Sequence, residues 1–285
     1  MIESLSWFFF AILATLLLGT AMVFYKFPSA KKMSRYNVSF WSLTTSAVLA
    51  IVFFFSYLYL TTNTMLLLAV LWGASFLALS LSQMYALGHI ETNTLFPVTS
   101  IVSLVVTVFA GLAFFKEQIT LIQTLGVIIV ITTVYSSIFN GVKLKYSSSL
   151  IGIGIIIVFF SAFNKILQKL AADKVDIHAF QIYQYLFAVL FSLVAYSFVH
   201  RKTWRKEIFS GFKIGSAIGI FSFLGGYSLI IALTKGPLTL VFTIFSLFTL
   251  VTAVLGYFLF GELLTKRKLI LLFMAIIATL VIRFG

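Results

Sequence analysis

The chain has 285 residues, 61% of them hydrophobic and 9% charged, with a mean hydropathy of +1.13. A soluble domain carries about 25% charged residues, so this composition excludes a free-standing soluble protein and points to the bilayer as solvent. The formal charge of +13 lies between apolar runs, where it reads as topology signals and headgroup anchors rather than as a nucleic-acid surface. With no cysteine, disulfides, thiolate metal sites and thiol nucleophiles are excluded.

A helix needs about 20 apolar residues to cross the hydrocarbon core. Runs of that kind occupy 5–25, 38–60, 65–87, 92–115, 119–140, 147–164, 179–199, 214–234, 237–260 and 269–282. The first lacks a basic leader and is too long for a signal h-region of about 7–15 residues, so it reads as a retained span. The last is short, with Lys268 and Arg283 placed to snorkel at its ends. None alternates like a barrel strand. The expectation is an all-α integral membrane protein of ten transmembrane helices. The connections 26–37, 141–146, 165–178, 200–213 and 261–268 are too short to hold a soluble catalytic domain.

One stretch occurs twice. Residues 110–120 read AGLAFFKEQIT and residues 255–265 read LGYFLFGELLT; a shift of 145 places Gly111 on Gly256, Glu117 on Glu262 and Thr120 on Thr265. Upstream, 85–87 (YAL) is echoed by 231–233 (IAL) at a shift of 146. This predicts two five-helix repeats, 1–140 and 150–285, joined by a linker at 141–149. Five is odd, so the repeats must be inverted relative to each other, the arrangement of alternating-access carriers. Glu117, Thr120, Glu262 and Thr265 are read as a structural motif, each carboxylate capping the helix that follows it; a gating or proton-coupling role stays open.

Most lysines and arginines, among them Lys26, Lys31, Lys143, Arg201 and Lys266, follow the first, fifth, seventh and ninth runs. The positive-inside rule then places both termini outside. All seven carboxylates and three histidines stand at or beyond the ends of runs. Lys165 is the exception if the sixth run continues through it, either snorkelling to headgroups or facing a central cavity.

Uncharged polar residues recur at helical spacing. Trp72, Ser75, Ser82 and Gln83 share a face of the third run, and Asn93, Pro97, Ser100 and Thr107 share one on the fourth. Thr239, Thr243, Ser246 and Thr249 do so on the ninth, and Ser161 precedes Asn164 by three on the sixth. Such stripes serve as interhelical glue worth about 0.6 kcal/mol per bond or line a substrate site. The candidate substrate-binding set is Trp72, Ser75, Gln83, Asn93, Ser100, Ser161, Asn164, Ser222, Tyr227, Thr239, Thr243 and Ser246. Gly211, Gly215 and Gly219, four apart, predict a close helix crossing, and Gly225-Gly226 is a candidate flexing point. No catalytic, metal or cofactor site is expected: Gly73-Ala74-Ser75 matches three positions of a membrane serine-protease motif, with no histidine at membrane depth to act as base, and no His-Glu-x-x-His is present.

The ordered motifs resemble the drug/metabolite transporter superfamily, in its ten-helix branch of paired EamA-type domains. The resemblance rests on Ala86-Leu87 and Ala232-Leu233 closing the third and eighth helices, on Pro97, on the two glutamate turns, and on Gln123 and Gly126 after the first turn. The second repeat departs, with Lys268 and Leu271 at the matching positions. The resemblance implies a secondary carrier; the expected location is the cell membrane, as a multi-pass protein of a prokaryotic plasma membrane, with a monomer expected and the oligomeric state left open. The carrier would move a small organic solute, often as an exporter, through a central cavity lined by helices 1, 3, 4, 6, 8 and 9. The resemblance also implies cytoplasmic termini, against the charge count. The expected partners are a small polar or amphipathic solute, lipid, and protons as one candidate coupling ion, with no nucleic acid. The rival readings are a flippase for a lipid-linked substrate, and a structural or signalling membrane protein without flux.

Overall fold

The computed structural model describes residues 2–138, 148–199, 208–262 and 266–284. Every regular element among them is helical, as a lipid-immersed chain requires, because a helix satisfies its own backbone donors and acceptors. The long helices are α1 (Ile2–Phe24), α2 (Arg35–Phe54), α3 (Asn63–Ala86), α4 (Thr92–Ala113), α5 (Leu121–Ile138) and α6 (Ser148–Lys174). They continue with α7 (Ile177–Val199), α8 (Phe212–Lys235), α9 (Leu238–Phe245), α10 (Phe248–Phe260) and α11 (Lys266–Phe284). A one-turn helix, Phe27–Ala30, follows α1. Eight stretches of the described residues are long and apolar enough to cross a membrane: α1 to α4, α6 to α8, and α9 with α10 taken together.

The helices are packed across the sequence rather than along it. Helix α1 lies against α8, and α3 against α6 and α7; α2 packs on α7 and α8, α4 on α6 and α9–α10, and α5 on α11. The glycine stripe fixes one of these crossings. A Cβ on Gly215 would lie 2.6 Å from Trp41 Cβ and 2.7 Å from the Val38 carbonyl oxygen, both on α2. Gly211 and Gly219 meet the same helix, as the spacing predicts. Large side chains such as Val52, Phe53, Phe109, Phe159 and Phe273 remain exposed on the outside, where lipid is the expected neighbour.

Two runs differ from the sequence reading. Helix α6 does not end at Asn164 but continues to Lys174, which carries Lys165 into the bundle. Pro97 lies inside α4, so the Asn93 carbonyl loses its helical donor. The ninth run is broken between α9 and α10, where Leu247, Thr249 and Leu250 donate to carbonyls only three residues back. A hydroxyl ladder accompanies the break: Thr243 donates to the Thr239 carbonyl, Ser246 to Thr243, Thr249 to Ser246 and Thr252 to Thr249. Hydroxyls that bond back to their own helix compete with its ladder and bend it. That stripe therefore serves its own backbone first.

Candidate functional site

Two glutamate turns fasten the bundle at its ends. After α4, the Glu117 amide donates to the Gly111 carbonyl at 3.1 Å, folding the side chain back toward the start of α9. Its carboxylate accepts from the amides of Leu238 and of Thr239, the latter at 2.9 Å. After α10, the Glu262 amide donates to the Gly256 carbonyl. The Glu262 carboxylate accepts from the amides of Thr92 and Asn93, 3.2 and 3.3 Å away, and from the Thr92 hydroxyl. Lys26 completes that cluster as an ion pair. The amides are first-turn donors with no helical acceptor of their own, so a carboxylate there satisfies them and complements the helix dipole.

The expected cap on the following helix is thus corrected: each glutamate reaches a helix of the other half. The helix after Glu117 is capped instead by Thr120 and Gln123, whose side chains each accept from the other's amide, at 3.1 and 3.0 Å, in a capping-box arrangement. Thr265 lies outside the described residues. A Cβ on Gly256 would come within 2.9 Å of the Glu262 carboxylate and of the Thr92 hydroxyl, and Gly111 is crowded in the same way by Glu117 and Thr239. The matched pair of glycines leaves room for the matched carboxylates. Lys116 and Gly261 both take a left-handed backbone, at φ 52° and 67°, one residue before each glutamate. Burial would raise the Glu262 pKa, but the bonds from Lys26 and Thr92 and the Lys26 charge outweigh it and hold the carboxyl below its ordinary 4.5.

Between the turns lies a buried polar cluster. The Ser75 hydroxyl on α3 is 2.7 Å from the Leu71 carbonyl of its own helix and 3.1 Å from Asn164 Oδ1 on α6, sharing its proton between them, while Asn164 Nδ2 donates to the Phe160 carbonyl. The next residue, Lys165, donates to Ser103 Oγ on α4 at 2.9 Å and stands 5.4 Å from the centre of the Phe242 ring on α9. Four helices meet there. Ser100 Oγ, both side-chain atoms of Asn93, Thr239 Oγ1 and Trp72 Nε1 are buried without a hydrogen-bond partner. Buried polar atoms are rarely left so, and a site that awaits a ligand is one reason they are.

The other candidates are placed as follows. Trp72 stacks on Phe76 at 4.4 Å and meets Tyr185 edge-on. Gln83 is buried, and Ser161 is half-buried one turn before Asn164 and Lys165. Thr243 and Ser246 belong to the hydroxyl ladder already described. The Ser222 carbonyl accepts from the Tyr185 hydroxyl. Tyr227 stands apart from the lysine cluster: its hydroxyl is 3.0 Å from His178 Nε2, among Phe54, Tyr57 and Phe223. Sequence reasoning left out Ser103, Phe242 and Lys26. For Ser103 the signal was present, three residues from Ser100 and four from Thr107.

Residues 148–284 match the EamA-like transporter family. The second half of the chain is thus similar to an EamA-like domain of the drug/metabolite transporter superfamily, and the apolar helices are those of a multi-pass membrane protein. A protein of known crystal structure has a TM-score of 0.70 to this chain at 11% identity. The match covers 94% of this chain and 95% of that one, and at that identity the likeness is one of fold. No curated protein matches the sequence. The second half contributes Asn164, Lys165 and Phe242 to the polar cluster, and the first half contributes Ser75 and Ser103.

Proposed function

We propose that the protein is a secondary carrier with ten spans in two inverted five-helix repeats. It moves a small polar or amphipathic metabolite outward, by alternating access around the Lys165 cluster.

 The observation that carries this reading is the crossed pair of glutamate turns: each half ends its fourth helix with a carboxylate that holds the start of the other half's fourth helix. The packing pattern has the same character. Exchanging the halves turns the α1–α8 contact into α6–α3, and α2–α8 into α7–α3, while α2–α7 and α5–α11 map onto themselves. Related halves pointing in opposite directions are what an alternating-access carrier needs, because one site between them is opened to either side by equivalent motions.

Among the described residues no carboxylate lies in the middle of a span, Asp173 standing in the last turn of α6 where it pairs with Lys169, which favours exchange or facilitated diffusion over proton antiport. Counterflow in proteoliposomes tests this. Vesicles loaded with a mixture of unlabelled amino and organic acids are expected to accumulate the matching labelled solute with no pH gradient. Uptake that appears only when a gradient is imposed contradicts the exchange mechanism. One observation favours the lipid-linked reading: an apolar groove of about 700 Å³ between α1, α10 and α11, lined by residues such as Phe8, Leu16, Val251 and Leu280. Transbilayer movement of a fluorescent lipid-linked sugar by the same vesicles, without counterflow, would decide for it.

A further inference from the structure

Lys165 is a charge taken out of water that no acidic group among the described residues answers. It is 6% exposed, and the ion pairs among the described residues join Lys26 to Glu262, Lys169 to Asp173 and His178 to Asp176. An ammonium has three donors. One goes to Ser103 Oγ, and the Phe242 ring offers a weaker partner to the charge. Burying an ion costs several kcal/mol even after relaxation, and ionisable groups inside a membrane bundle usually mark a substrate or ion path.

The surroundings indicate what would complete the site. Ser103 donates its own proton to the Ser100 carbonyl at 3.1 Å, so its lone pairs are aimed at Lys165 and fix the ammonium. Ser100, one turn earlier on α4, keeps a buried hydroxyl with no partner, on the same helix face as Ser103. On the other side, Asn164 is held by Ser75. A fixed cation, a spare hydroxyl and an aromatic face suit a monoanion attached to an apolar body. A phosphate dianion would need more than one cation for charge balance, and the cluster holds one.

We infer that Lys165 and Ser100 bind the carboxylate of the transported solute, so that the cargo is a small organic acid or zwitterion. This deepens the transport reading above and rests on it. The test uses thermal shifts of the full chain in detergent. The probes are the twenty proteinogenic amino acids, pyruvate, lactate and 2-oxoisovalerate, with the matching amides and inorganic phosphate as comparisons. At least one carboxylate is expected to raise the Tm while its amide and phosphate do not. Lys165→Met should weaken that carboxylate's apparent affinity by about tenfold or more, as loss of a bond to a charged group does, and Ser100→Ala should weaken it less.

Folding of the lysine variant is read separately. Without ligand, Lys165→Met is expected to keep or raise the Tm, since a buried charge is replaced by an apolar chain of similar length. Equal shifts from acid and amide, an undiminished shift in Lys165→Met, or no shift from any carboxylate would each overturn the assignment. A ligand-free Tm that falls sharply in Lys165→Met would overturn it too, because the ammonium would then be structural. The transport reading has its own readout: flux of neutral or cationic solutes above empty vesicles would sustain it while the carboxylate site failed.

Discussion

Glu262→Ala is expected to destabilise the protein by about 3 kcal/mol, the low end for breaking a buried charge pair by removing one partner. The substitution strands Lys26, the amides of Thr92 and Asn93, and the Thr92 hydroxyl at once. Glu117→Ala should cost less, because its carboxylate meets the amides of Leu238 and Thr239 with no direct cation. Chemical denaturation in mixed micelles reads both losses. Adding Lys26→Met to Glu262→Ala should recover part of the loss, since the stranded ammonium is then gone; additive losses would mean that the pair is not coupled. The pH dependence has a fixed sign. A carboxyl whose folded pKa is depressed stabilises above its unfolded value and loses that contribution as the pH falls through the folded one. Wild type should therefore lose stability below about pH 4.5 more steeply than Glu262→Ala.

Gly215→Val is expected to prevent normal folding or to cost about 3 kcal/mol, the upper part of the usual overpacking range. The added carbons would enter the α2–α8 crossing against the Val38 carbonyl and Trp41 Cβ, neither of which is a flexible side-chain tip. Gly152→Ala on α6 is the comparison. No atom lies within 4 Å of the new Cβ there, and alanine is the better helix former by about 1 kcal/mol. Size-exclusion profiles and thermal unfolding should separate the two variants. Similar behaviour of both would show that α2 and α8 do not meet at these glycines.

The apolar runs made most helix positions legible, because the cost of unsatisfied backbone in lipid leaves few alternatives. Gly211, Gly215 and Gly219 likewise announced a close crossing through their spacing alone. What the sequence obscured were long-range choices. The local reading of Glu117 gave it to the next helix, whereas Thr120 and Gln123 already fill that role and free the carboxylate for α9. Charge density hid Lys165: Lys169 and Asp173 follow it closely and read as a helix end, although they pair with each other at 2.9 Å while α6 continues. Spacing likewise marked Thr243 and Ser246 as candidate ligands, and their hydroxyls bond to their own helix. Ser75, Asn164 and Ser100, marked by the same rule on other helices, stand in or beside the central cluster. Periodicity finds a face, and only packing decides what that face meets.

The central claim is that the two glutamate turns belong to inverted halves and therefore lie on opposite sides of the bilayer. The chain has no cysteine, so single cysteines can be placed without a background. Gln118 is exposed beside Glu117, and Lys31 is exposed shortly after Lys26, which is bonded to Glu262. In vesicles of uniform protein orientation, a membrane-impermeant maleimide should label Gln118→Cys from one side and Lys31→Cys from the other. Labelling of both from the same side would contradict the inverted arrangement and the carrier mechanism built on it.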